Sequence, residues 1–402
     1  MFYLIRSFIF TCAGLVILTA LPLAAAAPAD LTAKEVEIEG KRFTVMIPAG
    51  YELEFLTGSM SRPRFIYFTP NGDLLAGSRS GKVYRLAPPY TQAGVLTKFA
   101  DYPHSVVVRG DTLYVADTDG LYQARYTSGI TRLRHKDFTL VTPLPSGGGH
   151  SSRSVGVGPD NRLYIGLGIS GNCPNEYLDD SYDFENRRGG VFVLDETGDK
   201  PKLQPYASGL RNPIGFAWHP DTKFLYANNN GPDHWGYELP REYFGRLSGG
   251  SFHGMPWYQY VDGRFQRDKC VRAKPPRPVT EAVPPEVTFD ARNAPMGMVF
   301  VPKGAMDPRF EGNAIVALHG SWGTQPRGGY AGDPATRRHP KLVQVMFENG
   351  RATRVVDLIT GFQLADGHRW GRPCGVAIGP DGALYFTSDG GTNGLFRLRR
   401  IN

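Results

Sequence analysis

From residue 50 onward the chain breaks into short apolar runs separated by turn-forming residues. One unit recurs six times: a turn rich in Gly, Asp, Asn or Pro leads into a short apolar run. Three instances are Pro70-Asn71-Gly72-Asp73-Leu74-Leu75-Ala76, Pro159-Asp160-Asn161-Arg162-Leu163-Tyr164-Ile165 and Pro380-Asp381-Gly382-Ala383-Leu384-Tyr385-Phe386; the others begin at Arg109, Pro220 and Phe310. Pro, Asp, Asn and Gly supply the backbone angles of tight turns between antiparallel strands. A second segment follows most turns with apolar residues at every other position, as in Lys82-Val83-Tyr84-Arg85-Leu86 and Gly394-Leu395-Phe396-Arg397-Leu398. That period of two belongs to a strand. Apolar runs such as Ser154-Val155-Gly156-Val157 precede the turns and add another strand to each unit. Long apolar periodicities of helical spacing are scarce. Six units of several antiparallel strands predict an all-β chain and a six-bladed β-propeller, in which ring closure protects the strand edges. A β-sandwich accounts less well for the repetition. The intervals 172–188, 231–294 and 320–340 then read as insertions in or between blades.

Composition supports that architecture: 49 Gly, 32 Pro, 20 Tyr and 23 Phe in 402 residues describe a chain of many turns and half-buried sheets. The formal charge of +7 is spread along the chain. No basic cluster stands beside a base-stacking aromatic motif, so a nucleic-acid partner is not indicated. The excess allows only a weak preference for anionic partners. At the N-terminus, Arg6, an apolar run from Phe8 to Leu23 and the small residues Ala24-Ala25-Ala26-Ala27 form the pattern of a secretory signal peptide over residues 1–27. No later stretch is apolar for long enough to span a bilayer. The expectation is a mature chain of residues 28–402, periplasmic or secreted, with no membrane span. Export permits a disulfide. Cys173 and Cys270 lie in polar, loop-like sequence, and their pairing is open at this stage. Cys374 begins an apolar run and reads as a buried thiol. There is no haem-attachment Cys-x-x-Cys-His.

A propeller does not define a function; the loops do. Three loop segments carry candidate chemistry. Gly147-Gly148-Gly149-His150-Ser151-Ser152-Arg153 presents an imidazole on a Gly-rich approach to a strand, suited to general-base work. Taken alone, a loop His more often makes a structural hydrogen bond. Gly209-Leu210-Arg211-Asn212-Pro213 offers a cluster of donors to an anion or a quinone oxygen, or an ion pair and a turn cap. Asn228-Asn229-Asn230-Gly231-Pro232-Asp233-His234 is oxygen-rich in the way that suits Ca²⁺, without the spacing of an EF-hand.

Together these segments resemble the soluble pyrroloquinoline-quinone (PQQ)-dependent glucose/sorbosone dehydrogenases, and their sorbosone-dehydrogenase-like branch more closely. Ser61-Arg62-Pro63-Arg64, Ala294-Pro295-Met296-Gly297, Ala317-Leu318-His319-Gly320-Ser321-Trp322 and Trp370-Gly371-Arg372-Pro373 carry the resemblance from about Gly50 to Asn402. It implies a single propeller domain over residues 28–402, with PQQ and Ca²⁺ as cofactors. It implies His150 as catalytic base, Arg211, Asn212, Arg372 and Trp322 as cofactor contacts, and Gly231 and Pro232 as carbonyl ligands of Ca²⁺. The implied reaction oxidises an aldose or sugar aldehyde to a lactone or acid and passes electrons to a separate acceptor. In the glucose branch an Asp supports the base; here the corresponding strand ends Gly168-Ile169-Ser170. Relatives carry His-Ser where this chain has Arg292-Asn293. Two other readings stand beside this one: a metal-dependent sugar lactonase-type hydrolase, with Asn229, Asn230 and Asp233 as ligands, and a non-catalytic binding propeller.

Overall fold

The computed structural model describes residues 28–401; the expected signal peptide, residues 1–27, and Cys12 within it lie outside them. Six sheets, each built on four antiparallel strands, form the body, as the repeat predicts; in the third the short strand Ser251–Phe252 adds a fifth, parallel to Lys202–Ser208. Blade 1 comprises Pro63–Phe68, Leu74–Ser78, Lys82–Leu86 and Gly94–Lys98. Blade 2 runs from Ser105 to Pro143, blade 3 from Arg153 to Ser208, blade 4 from Phe216 to Phe289 and blade 5 from Pro295 to Ile359. Blade 6 takes three strands, Pro373–Ile378, Leu384–Gly390 and Thr392–Arg400, from the C-terminus and its outermost strand, Tyr51–Thr57, from near the N-terminus. Leu398 faces Leu53 across that joint. Glu54 takes Arg397 at 2.6 Å and Arg399 at 3.1 Å. The seam closes the ring and leaves no open edge there.

The recurring turns have a local cause. In blade 3 the Asp160 carboxylate accepts from the Tyr164 hydroxyl at 2.9 Å and the Arg162 N–H at 3.2 Å. In blade 6 Asp381 does the same for Tyr385 at 2.9 Å and Ala383 at 3.2 Å. An Asp that bonds the backbone two residues on closes the turn without help from elsewhere. In blade 1 that position is Asn71, and Asp73, two residues on, binds Arg85 in its own blade and the Tyr126 hydroxyl of blade 2.

The six innermost strands surround a central channel of about 310 Å³, to which Ile66, Val106, Val155, Phe216, Met298 and Val376 each contribute. Buried aromatic and aliphatic side chains fill the space between blades. A hairpin not anticipated from the pattern, Leu31–Ile38 with Lys41–Pro48, joins the core of blades 5 and 6 through Val36, Ile38, Val45 and Ile47. The intervals 172–188 and 320–340 are insertions as predicted, but 231–294 also holds the two outer strands of blade 4, Glu242–Leu247 and Val287–Phe289, with an insertion between them. The one in blade 4 carries its own hairpin, Tyr258–Val261 with Arg264–Arg267. Among the described residues no helix is long and apolar enough to cross a membrane.

Candidate active site

The recurring turns join each innermost strand to its neighbour at one end of the ring. The segments that enter the innermost strands and leave the second strands therefore lie at the other end. His150, Arg211, Asn212 and Arg372 precede innermost strands, whereas Gly231, Pro232 and Trp322 follow second strands. Strand alternation thus brings all seven predicted residues to one mouth of the propeller.

His150 sits on a loop whose shape needs glycine. Gly147, Gly148 and Gly149 all have positive φ, and a Cβ on Gly149 would lie 1.8 Å from the Ser170 carbonyl oxygen. The His150 Nδ1 bonds the Ile169 carbonyl oxygen. A carbonyl only accepts, so Nδ1 carries the proton and Nε2 is left as the acceptor. Burial, with Arg211 close by, pushes the imidazole down to about 3, so it is neutral across the physiological range. The main-chain Ile169 oxygen thus orients the ring. Its strand end is anchored in turn: Ser170 donates to the buried Glu176 from its N–H at 2.8 Å and from its hydroxyl at 2.5 Å.

Two buried arginines hold this loop, and neither role was legible in sequence. Arg153 donates to the carbonyls of His150 at 2.7 Å, Pro145 at 2.7 Å and Thr118 at 3.1 Å. Arg188 donates to His150 at 2.9 Å, Gly168 at 2.8 Å and Gly147 at 2.5 Å. Burial, with Arg188 alongside, pushes Arg153 down to about 9. The guanidinium fork provides enough donors to satisfy several carbonyls of an irregular loop at once.

Arg211 and Asn212 are joined to His150 through Ile169 and Gly168. The Ile169 N–H donates to the Arg211 carbonyl at 2.8 Å. Gly168 lies between His150 and Asn212, and a Cβ there would come 2.7 Å from the His150 Cβ and 2.3 Å from Asn212 Oδ1. The Arg211 side chain reaches Asn172 Oδ1 at 2.6 Å and Asp233 at 3.3 Å. Asp233 also receives Arg292 at 2.9 Å. Arg292 thereby ties the 233–236 loop to the approach to blade 5.

The Gly231-Pro232 loop lies over Glu242, a buried carboxyl that bonds the Gly231 N–H. Burial pushes Glu242 up to about 7. Among the described residues, nothing donates a hydrogen bond to the Gly231 or Pro232 carbonyl. Asn229 Oδ1 is occupied by the Asn212 N–H at 2.7 Å, and the Asn230 amide by the Pro295 carbonyl at 2.9 Å.

Arg372 and Trp322 form a second group, on blades 5 and 6. Arg372 donates to the carbonyls of His319 at 3.1 Å and Gly320 at 3.2 Å. Burial lowers its pKa, opposed by Asp389 and assisted by Arg64 and Arg337. Burial, with Arg372 and Arg337, also pushes Arg369 down to about 9. Asp389 is the acid of this sector. Burial works against its charge, but His319 and Arg64 hold its carboxyl well below the usual range. Trp322 lies on the rim, 41% exposed, with its ring 4.5 Å from that of Tyr330. Among the described residues no hydrogen bond or ion pair links this group directly to Arg211 or His150.

Cys173 and Cys270, left open by the sequence, are joined by a disulfide across 97 positions. Cys374 is the buried thiol expected.

Residues 116–325 match the family model described as glucose/sorbosone dehydrogenase, a span that holds six of the seven predicted residues. The chain belongs to that family. Residues 263–400, with Arg372, match a second model described as TrAA12-like. The chain is similar to quinoprotein glucose dehydrogenase B of Acinetobacter calcoaceticus, 29% identical over 133 residues, 27% of this chain and 28% of that one. Its fold is similar to a Trichoderma reesei carbohydrate-active enzyme of family AA12, with a TM-score of 0.72 and 18% identity over 95% of this chain and 100% of the other. It is also similar to the PQQ domain of Coprinopsis cinerea pyranose dehydrogenase, with a TM-score of 0.68 and 19% identity over 89% and 97%.

Proposed function

We propose that this member of the glucose/sorbosone dehydrogenase family is a PQQ- and Ca²⁺-dependent dehydrogenase that oxidises an aldose or sugar aldehyde, sorbosone-like, with His150 as the base. The observation that carries the reading is the neutral His150 imidazole, with Nδ1 fixed on a carbonyl and Nε2 left as acceptor at the propeller mouth.

The mouth fits the cofactor. Arg372, Arg369, Arg337 and Arg64 crowd one sector with Asp389 as its acid, so the sector favours an anionic ligand with several carboxylates. The Gly231 and Pro232 carbonyls are oxygen donors free of hydrogen bonds from described residues, as a hard cation requires. In this assignment Arg372 holds carboxylates, Arg211 and Asn212 face the quinone oxygens, Trp322 covers an edge, and Gly231 and Pro232 hold Ca²⁺. When bound, PQQ supplies the two-electron acceptor and Ca²⁺ the Lewis acid that polarises it.

The chain's own residues do the rest. His150 Nε2 takes the proton from the anomeric hydroxyl of a hemiacetal, or from an aldehyde hydrate, as its C–H bond breaks. Arg211, prepaid in its orientation by Asn172, places fixed positive charge where negative charge grows. A hemiacetal yields a lactone and a hydrate yields an acid. Electrons then pass to a separate acceptor. The assignment of residues 1–27 as a signal peptide and a periplasmic or secreted location belong to the same proposal, supported by the Cys173–Cys270 disulfide.

The test adds PQQ and Ca²⁺ to purified apoprotein and follows aldose- or aldehyde-dependent dye reduction. His150→Ala is expected to lower turnover by about 10²-fold or more while PQQ still binds. Near-normal turnover removes His150 from the role. The lactonase-type alternative has less support, because Asn229 Oδ1 already accepts from the Asn212 N–H and Asp233 is engaged by two arginines. Lactone hydrolysis with Ca²⁺ and no quinone would reinstate it. Failure to bind PQQ would favour a non-catalytic propeller.

A further inference from the structure

The disulfide has an imidazole beside it. Cys173 stands next to Asn172 in the loop between the second and third strands of blade 3, and Cys270 belongs to the blade 4 insertion. The two sulfurs and a ring nitrogen of His234 all lie within 4.8 Å of one another, and His234 Nδ1 is 4.0 Å from Cys173 Sγ. The other nitrogen, Nε2, bonds Asp268 at 2.9 Å. A carboxylate accepts, so Nε2 carries the proton and the Nδ1 lone pair is on the sulfur side. Asp268 is buried and is itself held by the Trp235 indole N–H at 2.8 Å, the Gln259 amide at 3.1 Å and the Cys270 N–H at 3.1 Å. The imidazole's orientation is thus built into the insertion.

We propose that Cys173, Cys270 and His234 form a latent zinc site that opens when the disulfide is reduced. Two thiolates and an imidazole are a donor set suited to Zn²⁺, and a carboxylate behind the histidine is the usual outer partner of such a ligand. Tetrahedral bonds of about 2.3 Å to sulfur and 2.0 Å to nitrogen put neighbouring ligands about 3.5–3.8 Å apart. The His234–Cys173 separation is already close to that, and the parted sulfurs need only a small movement.

The S–S bond takes up two electrons and two protons from a dithiol reductant, which leaves as its own disulfide. Zn²⁺ then displaces both thiol protons, while His234 contributes a lone pair and loses none. Water fills the fourth position. The ion fastens the two loops that the disulfide joins and adds the loop of His234. Asn172 stands beside Cys173 and Asp233 beside His234, and both are partners of Arg211. The site goes beyond the dehydrogenase reading and does not depend on it.

Cobalt titration tests the proposal without PQQ. Co²⁺ added to the phosphine-reduced protein is expected to give thiolate-to-metal absorption that saturates at one equivalent and is displaced by Zn²⁺. The oxidised protein, which retains the buried Cys374 thiol, is expected to give none. Asp268→Asn should weaken binding by about 10–100-fold, and His234→Ala by more. Absence of thiolate absorption in the reduced protein, or wild-type affinity in His234→Ala, overturns the site. If reduction abolishes the near-ultraviolet circular dichroism, Zn²⁺ must restore it; failure to do so is equally decisive.

Discussion

Replacing Gly149 with alanine tests whether the loop geometry, rather than the mere presence of His150, sets the activity. A Cβ at Gly149 would stand 1.8 Å from the Ser170 oxygen and 2.3 Å from its carbonyl carbon, at a φ of +49°. To reach even 3.0 Å the two segments must part by more than 1 Å. The obstacle is backbone, held to Glu176 by Ser170, and cannot rotate away. Ile169, whose carbonyl orients His150, is the adjacent residue. A displacement of about 1 Å at a catalytic group costs on the order of 10²-fold in rate, and the left-handed backbone adds about 1–2 kcal/mol of destabilisation. Gly147→Ala is the matched control, since its φ is +83° but nothing lies within 4 Å of the added methyl. It should show the stability loss without the rate loss. Both variants are loaded with PQQ and Ca²⁺, then compared by kcat in dye reduction and by thermal unfolding. Equal kcat in the two variants would refute the claim that the Gly149–Ser170 approach positions the base.

Arg372→Met should weaken PQQ binding by about 10–100-fold, the worth of a charge-assisted hydrogen bond, in a fluorescence titration of apoprotein; an unchanged Kd would remove Arg372 from the cofactor. Cys270→Ser opens a cross-link spanning 97 positions and should cost about 2–4 kcal/mol in urea unfolding, with an unchanged midpoint as the contrary result. Burial pushes the His150 and His253 imidazoles down to about 3 and His104 well below its ordinary value. The unfolded chain then binds protons below about pH 6.5 that the folded chain refuses. Stability should be full above that pH and decline toward pH 3. Unfolding free energies that stay flat between pH 7 and pH 4 would show that these imidazoles are not held neutral.

The repeating hairpins and their order along the chain are properties of the sequence itself. A period of two and an Asp four residues before a Tyr act within one turn, so Asp160–Tyr164 and Asp381–Tyr385 needed no knowledge of the rest of the molecule. Alternation of strand direction then put His150, Arg211, Asn212 and Arg372 at the same mouth as Gly231, Pro232 and Trp322. Tertiary structure alone decided how those groups are held. Arg153 and Arg188 are charged residues that a sequence reading assigns to the surface. Their burial is tolerated only because carbonyls from separate loops converge on them. The same holds for the Ile169 oxygen under His150, for Arg292 across Asp233, and for the strand Tyr51–Thr57 that closes the last blade. Buried polar groups must find partners wherever the folded chain brings them, and most of those partners lie about twenty to several hundred residues away, beyond the reach of any local pattern.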